Sequence, residues 1–388
     1  VGVGLRSVLK KPGILFGGFL SLATLSVMNA AYTNVLDIIK SDLALTYTWT
    51  GALMSAYFIG YTLGQIPWGV LSDRYGSRRT MTLSVLGVSL STLLFGFSET
   101  ITMAVALRFL AGLLGAGIFV PGVKLVSSWF NSDERGTALG ILNIGGSTGM
   151  ILASWFVPLL SADFGWNNGL KLTGALGVVS AVLCFMLLKD RSTERRPLIL
   201  RELPIDRRAF WFLSFMQFIR LGSYYTFIAW MPLVLREDYG FSIIATSAAM
   251  SLLNIAGIFA NPIGGWVADR LDERRVLSGG FLLLAALIFT LAVQPDGVLL
   301  YVLVFLLGWF LNFSRSPSFT IIPRLFGTDS AGSISGINNT FASFGAFALP
   351  LLLGYIRDYT RSYQVGWITL ASLSLTASAL MYLMRDDY

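Results

Sequence analysis

The chain has 388 residues, 55% of them hydrophobic and only 13% charged, with a formal net charge of +7. Soluble domains carry about 25% charged residues, so a soluble globular chain is excluded, and the lack of strand alternation in the apolar runs argues against a β-barrel. With no histidine and a single cysteine, Cys184, the sequence offers no histidine catalysis, no internal disulfide and no metal cluster, so no cofactor and no enzymatic activity are expected.

Twelve apolar runs follow one another at 14–36, 50–72, 79–97, 101–126, 137–160, 168–188, 210–235, 243–268, 276–293, 298–322, 332–356 and 364–384. Each is long enough to cross the roughly 30 Å hydrocarbon layer as a helix. The first is long and has no small-residue cleavage site after it, so it is read as a span and not as a cleaved leader. Runs two and three are joined by Gly69-Val-Leu-Ser-Asp73-Arg74-Tyr-Gly76-Ser-Arg78-Arg79. Here Gly69 is expected to permit close helix contact, and Asp73 to pair with a basic residue or cap a neighbouring helix. Gly76 turns the chain, and Arg78 and Arg79 anchor the loop at the lipid surface. A generic basic loop would not explain Gly, Asp and Gly at these spacings. Run four contains Arg108-Phe-Leu-Ala-Gly112-Leu-Leu-Gly115-Ala-Gly117, and Trp129-Phe-Asn-Ser-Asp-Glu134-Arg135-Gly136-Thr-Ala-Leu-Gly140 leads into run five. A polar, Arg-rich stretch at 189–208, with Pro197 and Pro204, separates runs six and seven.

The sequence repeats itself at an offset of 196 residues. Gly69, Asp73 and Arg74 recur as Gly265, Asp269 and Arg270; Arg78-Arg79 recur as Arg274-Arg275; Gly112, Pro121, Gly140 and Gly149 recur as Gly308, Pro317, Gly336 and Gly345. These are residues with backbone or polar roles, not chance apolar matches. The second copy of the loop is degenerate, with Asp272 where the turn glycine is expected. The organisation predicted is a six-helix bundle at 1–188, a cytoplasmic linker at 189–208 and a second six-helix bundle at 209–388. Parallel repeats of this kind surround a midplane site and give alternating access by rocking.

Charge sets the orientation. With the N-terminus in the cytoplasm, nineteen of the 28 Lys and Arg fall in cytoplasmic segments and only Lys40, Lys171, Arg236, Arg357 and Arg361 fall outside. Excess positive charge stays on the cytoplasmic side. Both termini are therefore expected inside, in a multi-pass inner membrane protein. The basic balance is read as topology, with no nucleic-acid partner.

At this point the sequence resembles the major facilitator superfamily. The 69–79 loop is similar to that family's cytoplasmic signature, Arg108–Gly117 to its fourth-helix motif, and Trp129–Gly140 to its loop between helices four and five. The resemblance implies an all-α polytopic fold of twelve transmembrane helices in two parallel six-helix repeats, with helices one, four, seven and ten lining a solute cavity. It implies structural or gating roles for Gly69, Asp73, Arg74, Gly76, Arg78, Arg108, Glu134, Arg135, Asp269 and Arg270. One family motif is missing. Drug–proton antiporters carry a Gly-Pro pair in a glycine-rich fifth helix, whereas the only proline of run five, Pro158, follows Val157.

Four cations remain inside the runs: Arg108, Lys124, Arg220 and Arg315. A charge at the centre of a spanning helix costs about 2.5–3.5 kcal/mol on insertion scales, which makes it a functional hypothesis by default. Lys124, near the cytoplasmic end of run four, either serves the cavity or snorkels to the surface. Arg108 either serves the cavity or latches onto backbone groups of run one. Arg220 and Arg315 lie deep in runs seven and ten. All 21 acids map to loops or helix ends, so the buried cations are expected to lack acidic partners and to take the solute as counter-ion. Arginine offers a planar fork for a carboxylate or phosphate. Tyr224 shares a face with Arg220, and Asn312 with Arg315. Asn29, Tyr32 and Tyr61 add neutral polar groups in runs one and two, and each could equally bond helix to helix. The expected function is transport of a small organic anion, a mono- or dicarboxylate, by a monomer in the lipid bilayer. The alternatives are a proton-coupled exporter of drugs or other small molecules, and a carrier of phosphate esters or inorganic anions.

Overall fold

The computed structural model describes residues 11–191, 207–293, 298–327 and 331–384, and the linker expected at 189–208 falls largely outside them. The regular structure of the described residues is helical throughout. The helices are α1 (Pro12–Ala30), α2 (Leu36–Asp42), α3 (Tyr47–Tyr75), α4 (Ser77–Phe95), α5 (Ile101–Gly115), α6 (Phe119–Trp129), α7 (Ser132–Leu187), α8 (Arg208–Glu237), α9 (Ile243–Ala268), α10 (Glu273–Ala292), α11 (Val298–Phe313), α12 (Pro317–Phe326), α13 (Ala331–Thr360) and α14 (Gln364–Leu383).

These fourteen helices map onto the twelve runs in a way the apolar pattern did not announce. Three spans are broken. The first is α1 and α2, joined by a 3₁₀ turn at Thr33–Val35. The fourth is α5 and α6, interrupted at Ala116–Ile118, with Pro121 in the first turn of α6 where no intrahelical donor is needed. The tenth is α11 and α12, interrupted at 314–316, with Pro317 opening α12. The fourth and tenth breaks fall within two residues of each other at the repeat offset, each just before its proline. Runs five and six instead share α7, which is non-helical only at Gly165 (φ 78°, ψ 153°), a backbone conformation that favours glycine. Nine segments of the described residues are long and apolar enough to cross a membrane. One of them, Glu134–Leu187, holds two runs. Tyr47–Tyr75 and Ser77–Phe95, rich in Ser, Thr, Tyr and Gly, complete the twelve.

Two compact units emerge. Unit 1 comprises Val1–Leu45, Ala56–Pro197 and Pro232–Ser247; unit 2 comprises Thr46–Ser55, Leu198–Met231 and Ala248–Tyr388. They follow the two repeats except at two short segments, the beginning of α3 and the end of α8 with the loop after it. In unit 2 the Asp358 carboxylate accepts from the backbone N–H of Tyr47 (2.9 Å) and of Thr48 (2.7 Å), which satisfies the orphan donors at the start of α3. In unit 1, Arg236 pairs with Asp37 (2.7 Å) and Lys40 with Glu237 (2.9 Å).

Glycine sets the closest helix approaches inside each unit. A Cβ at Gly112 would lie 1.8 Å from the Tyr57 carbonyl oxygen, and one at Gly308 would lie 2.2 Å from that of Leu253. Both the glycines and their partners are separated by the repeat offset, so one packing solution is used twice. Lipid-facing helices gain little from apolar contact alone, and small residues let backbones approach. Gly308→Val is therefore expected to prevent formation of unit 2. Size-exclusion profiles of detergent-solubilised protein should show aggregate where the wild type gives a single peak, and a monodisperse, anion-binding Gly308→Val protein would refute this packing role.

Candidate functional site

The loop at 69–79 is built around one glycine at positive φ. Gly76 has φ 90° and ψ 156°, and a Cβ there would lie 2.2 Å from Asp190 Oδ2. Asp190, from the end of the sixth span, accepts from the Arg78 N–H (2.9 Å) at the start of α4. The Arg78 guanidinium donates to the Phe185 carbonyl through Nε (3.0 Å) and Nη2 (2.8 Å). In the second repeat the same cap is supplied locally. Asp272 has φ −64° and accepts from the backbone N–H of Arg274 and Arg275. The hydrogen bonds from Arg274 hold the Asp272 carboxyl below its usual range, outweighing its partial burial. The aspartate that replaces the turn glycine is thus an N-cap that makes a carboxylate from elsewhere unnecessary. Arg270 covers the Trp266 ring at 3.9 Å and donates to its carbonyl (3.1 Å), while Asp269 closes the last turn through its N–H to Gly265. Arg74 covers Tyr75, and Glu134 and Arg135 lie in the first turn of α7.

Two sequence expectations are corrected here. Gly69 makes no close helix contact, since nothing lies within 4 Å of a Cβ built on it, whereas its repeat mate Gly265 abuts Ser316. Lys124 has an acidic partner: its ammonium donates to Asp73. The two side chains are 41% and 61% exposed, so the lysine reaches out of the span to the 69–79 loop. Such an exposed pair is worth about 0–1 kcal/mol.

Arg108, on α5 in unit 1, is buried and fully engaged. Nη1 donates to the Met28 carbonyl (3.3 Å), and Nη2 to the Asn29 carbonyl (3.3 Å) and to Asn29 Oδ1 (3.0 Å). These acceptors lie at the C-terminal end of α1, where carbonyls lose their helical donors and a cation is favoured. The guanidinium is sandwiched between Tyr32 (4.2 Å) and Tyr57 (4.7 Å), and Tyr61 stacks on Tyr57. The break in the first span is thereby held by Arg108. Asn29 and Tyr32, expected at the solute site, serve this arginine in the structure.

Arg220, on α8 in unit 2, differs. It is 5% exposed. Nε donates to Gln217 Oε1 (2.6 Å), and the guanidinium lies 5.9 Å from the Phe319 ring centre. Among the described residues it has no carboxylate within ion-pairing distance, and neither has Arg315. Arg315 is half-buried in the break between α11 and α12, and its charge bears on Arg220. Tyr225 lies within electrostatic reach of both arginines and packs edge-on to Tyr224 at 5.0 Å. Asn312 donates to its own helix at Gly308 (2.9 Å) and its amide lies against Gly257. The cluster in unit 2 is therefore Gln217, Arg220, Tyr224, Tyr225, Arg315 and Phe319. The sequence reading missed Gln217, Tyr225 and Phe319, although Gln217 stands one turn before Arg220 and that spacing was visible.

The probable nitrate/nitrite transporter NarK2 of Mycobacterium tuberculosis is 27% identical over 375 residues, covering 92% of this chain and 94% of that protein. The hexuronate transporter of Bacillus subtilis is 26% identical over 401 residues, covering 95% and 93%. A crystal structure of a bacterial homologue of the human lysosomal transporter Spinster superposes with a TM-score of 0.81 at 16% identity, covering 96% of each chain, a likeness of fold. The family model of the Major Facilitator Superfamily matches residues 14–213 and again 213–388, once for each repeat. With the doubled six-span architecture and the 69–79 loop already in place, this chain belongs to the Major Facilitator Superfamily.

Proposed function

We propose that this protein is a secondary transporter of a small organic anion, a mono- or dicarboxylate, and that Arg220 holds the anionic group. The observation that carries the reading is the difference between the two buried arginines. The fork of Arg108 is spent on carbonyls, while Arg220 has a single amide on Nε and no counter-charge among the described residues. Burying an unpaired charge costs several kcal/mol, and a bound carboxylate on the guanidinium edge offsets that cost with two parallel charge-assisted hydrogen bonds. Arg315, Tyr224 and Tyr225 supply further charge and hydroxyls. The named relatives carry anions, and the reading extends that chemistry to this chain. The protein acts as a monomer in the inner membrane by alternating access, with both termini in the cytoplasm.

A second reading has a specific observation behind it. The NarK2 relative is named for nitrate and nitrite, and one guanidinium fork recognises an inorganic oxyanion as readily as a carboxylate. Thermal-shift and proteoliposome-uptake measurements with D-glucuronate, D-glucarate and nitrate separate the two. Saturable uptake of a sugar acid with nitrate inactive supports the organic anion. Uptake of nitrate alone supports the second reading, and uptake of a cationic drug with no anion bound overturns both.

A further inference from the structure

Gln217 lies one turn before Arg220 on α8, and its side chain is completely buried. Its carbonyl oxygen accepts the Arg220 Nε–H at 2.6 Å. A guanidinium only donates, so this bond fixes which end of the amide faces the arginine. The amide nitrogen then points away, and it has no hydrogen-bond partner among the described residues. The two Nη nitrogens of Arg220 likewise donate to no described residue, so the one bond that orients the guanidinium is the one to Gln217. A buried amide N–H without an acceptor is costly, and here it is held beside a guanidinium whose outer edge is also unspent. The pair presents donors only, and a ligand that only accepts fits it.

We propose that Gln217 is a positioning residue for anion recognition, locking the plane of Arg220 through Nε so that its two Nη groups meet the bound anion edge-on. This rests on the reading that Arg220 holds the anionic group. A long arginine side chain loses much rotamer freedom when it is ordered. Pinning it before the anion arrives removes that loss from the binding step and favours planar, bidentate acceptors. The ring of Phe319 and the like charge of Arg315 limit the other directions the guanidinium can take.

The test compares wild type, Gln217→Met, Gln217→Glu, Arg220→Lys and the Gln217→Met, Arg220→Lys double variant in proteoliposome uptake. The probes are D-glucuronate, D-glucarate and nitrate. Gln217→Met keeps the volume and removes the acceptor. KM is expected to rise about tenfold with kcat within about twofold, the pattern of lost ground-state and transition-state binding together. In the Arg220→Lys background the same change should leave KM unaltered, because an ammonium has no plane to orient. Gln217→Glu should lose binding altogether, since its carboxylate takes the place of the anion on Arg220. Melting temperatures of the anion-free variants separate these effects from misfolding, and if Gln217→Met does not fold, the Gln217→Glu result decides. An unchanged KM in Gln217→Met, an equal rise in both backgrounds, or full binding by Gln217→Glu overturns the positioning role while leaving the anion reading intact. If wild type takes up none of the three anions, the reading fails and the inference falls with it.

Discussion

Arg220→Met is expected to abolish anion uptake while leaving a folded protein that withstands heat at least as well as the wild type. The two effects have one cause. Arg220 is 5% exposed and has no carboxylate partner among the described residues, while Arg315 adds repulsion. A buried charge without a partner carries a desolvation cost of several kcal/mol, which an apolar side chain of similar volume removes and which outweighs the cost, about 1–3 kcal/mol, of leaving the Gln217 amide oxygen without its donor. Transport loses what stability gains. Truncating one side of a buried, hydrogen-bonded charge pair costs about 2–5 kcal/mol of binding, or roughly thirty- to several-thousand-fold at 1.4 kcal/mol per decade. Arg220→Lys keeps the charge without the fork, so its uptake should stay well below wild type. Arg108 gives the contrast: its guanidinium holds three oxygens at the end of α1, so Arg108→Met should destabilise the protein. Uptake and melting temperature, measured on the same preparations, decide the matter. Normal uptake by Arg220→Met would remove the residue from the site.

The second expected result concerns coupling. Loading proteoliposomes with unlabelled D-glucuronate should stimulate uptake of the labelled anion by about tenfold or more, whereas an imposed pH gradient should change it little. An empty carrier must return with Arg220 and Arg315 unneutralised in the membrane interior, at a cost of several kcal/mol. An anion on the return step removes that cost, and each 1.4 kcal/mol is worth tenfold in rate. Four acids close to the spans are already engaged. Asp37 pairs with Arg236, Asp42 accepts from the Trp166 indole, Glu237 pairs with Lys40 and Asp358 caps α3. A proton carrier would have to leave such a partner in each cycle. Uphill accumulation driven by a proton gradient alone, lost in Asp37→Asn, would overturn exchange and assign the coupling to that aspartate.

Much of this protein was legible in its sequence because the bilayer imposes simple rules. Run length fixed the spans, since a helix must cover the hydrocarbon with its own backbone hydrogen bonds satisfied. The 196-residue offset carried the repeat, and Gly112 and Gly308 show why it persists: each lets a neighbouring backbone come close. The breaks beside Pro121 and Pro317 were not legible in the same way, because Pro67, Pro158, Pro232, Pro262 and Pro350 lie inside helices that continue past them. What the sequence could not do was sort the four intramembrane cations. Arg108 is spent on carbonyls 79 and 80 residues away, Lys124 reaches Asp73 at a separation of 51, and Arg220 and Arg315 are left with neither an acid nor a set of carbonyls among the described residues. Gly69 was assigned a contact that the packing does not make, and Gln217 was passed over although it sits one turn from Arg220. The reason is physical. Helix periodicity tells which residues share a face, but the state of a buried charge depends on partners brought in from other helices and on the direction each side chain takes. Those are properties of the packed bundle, and only the tertiary structure decided them.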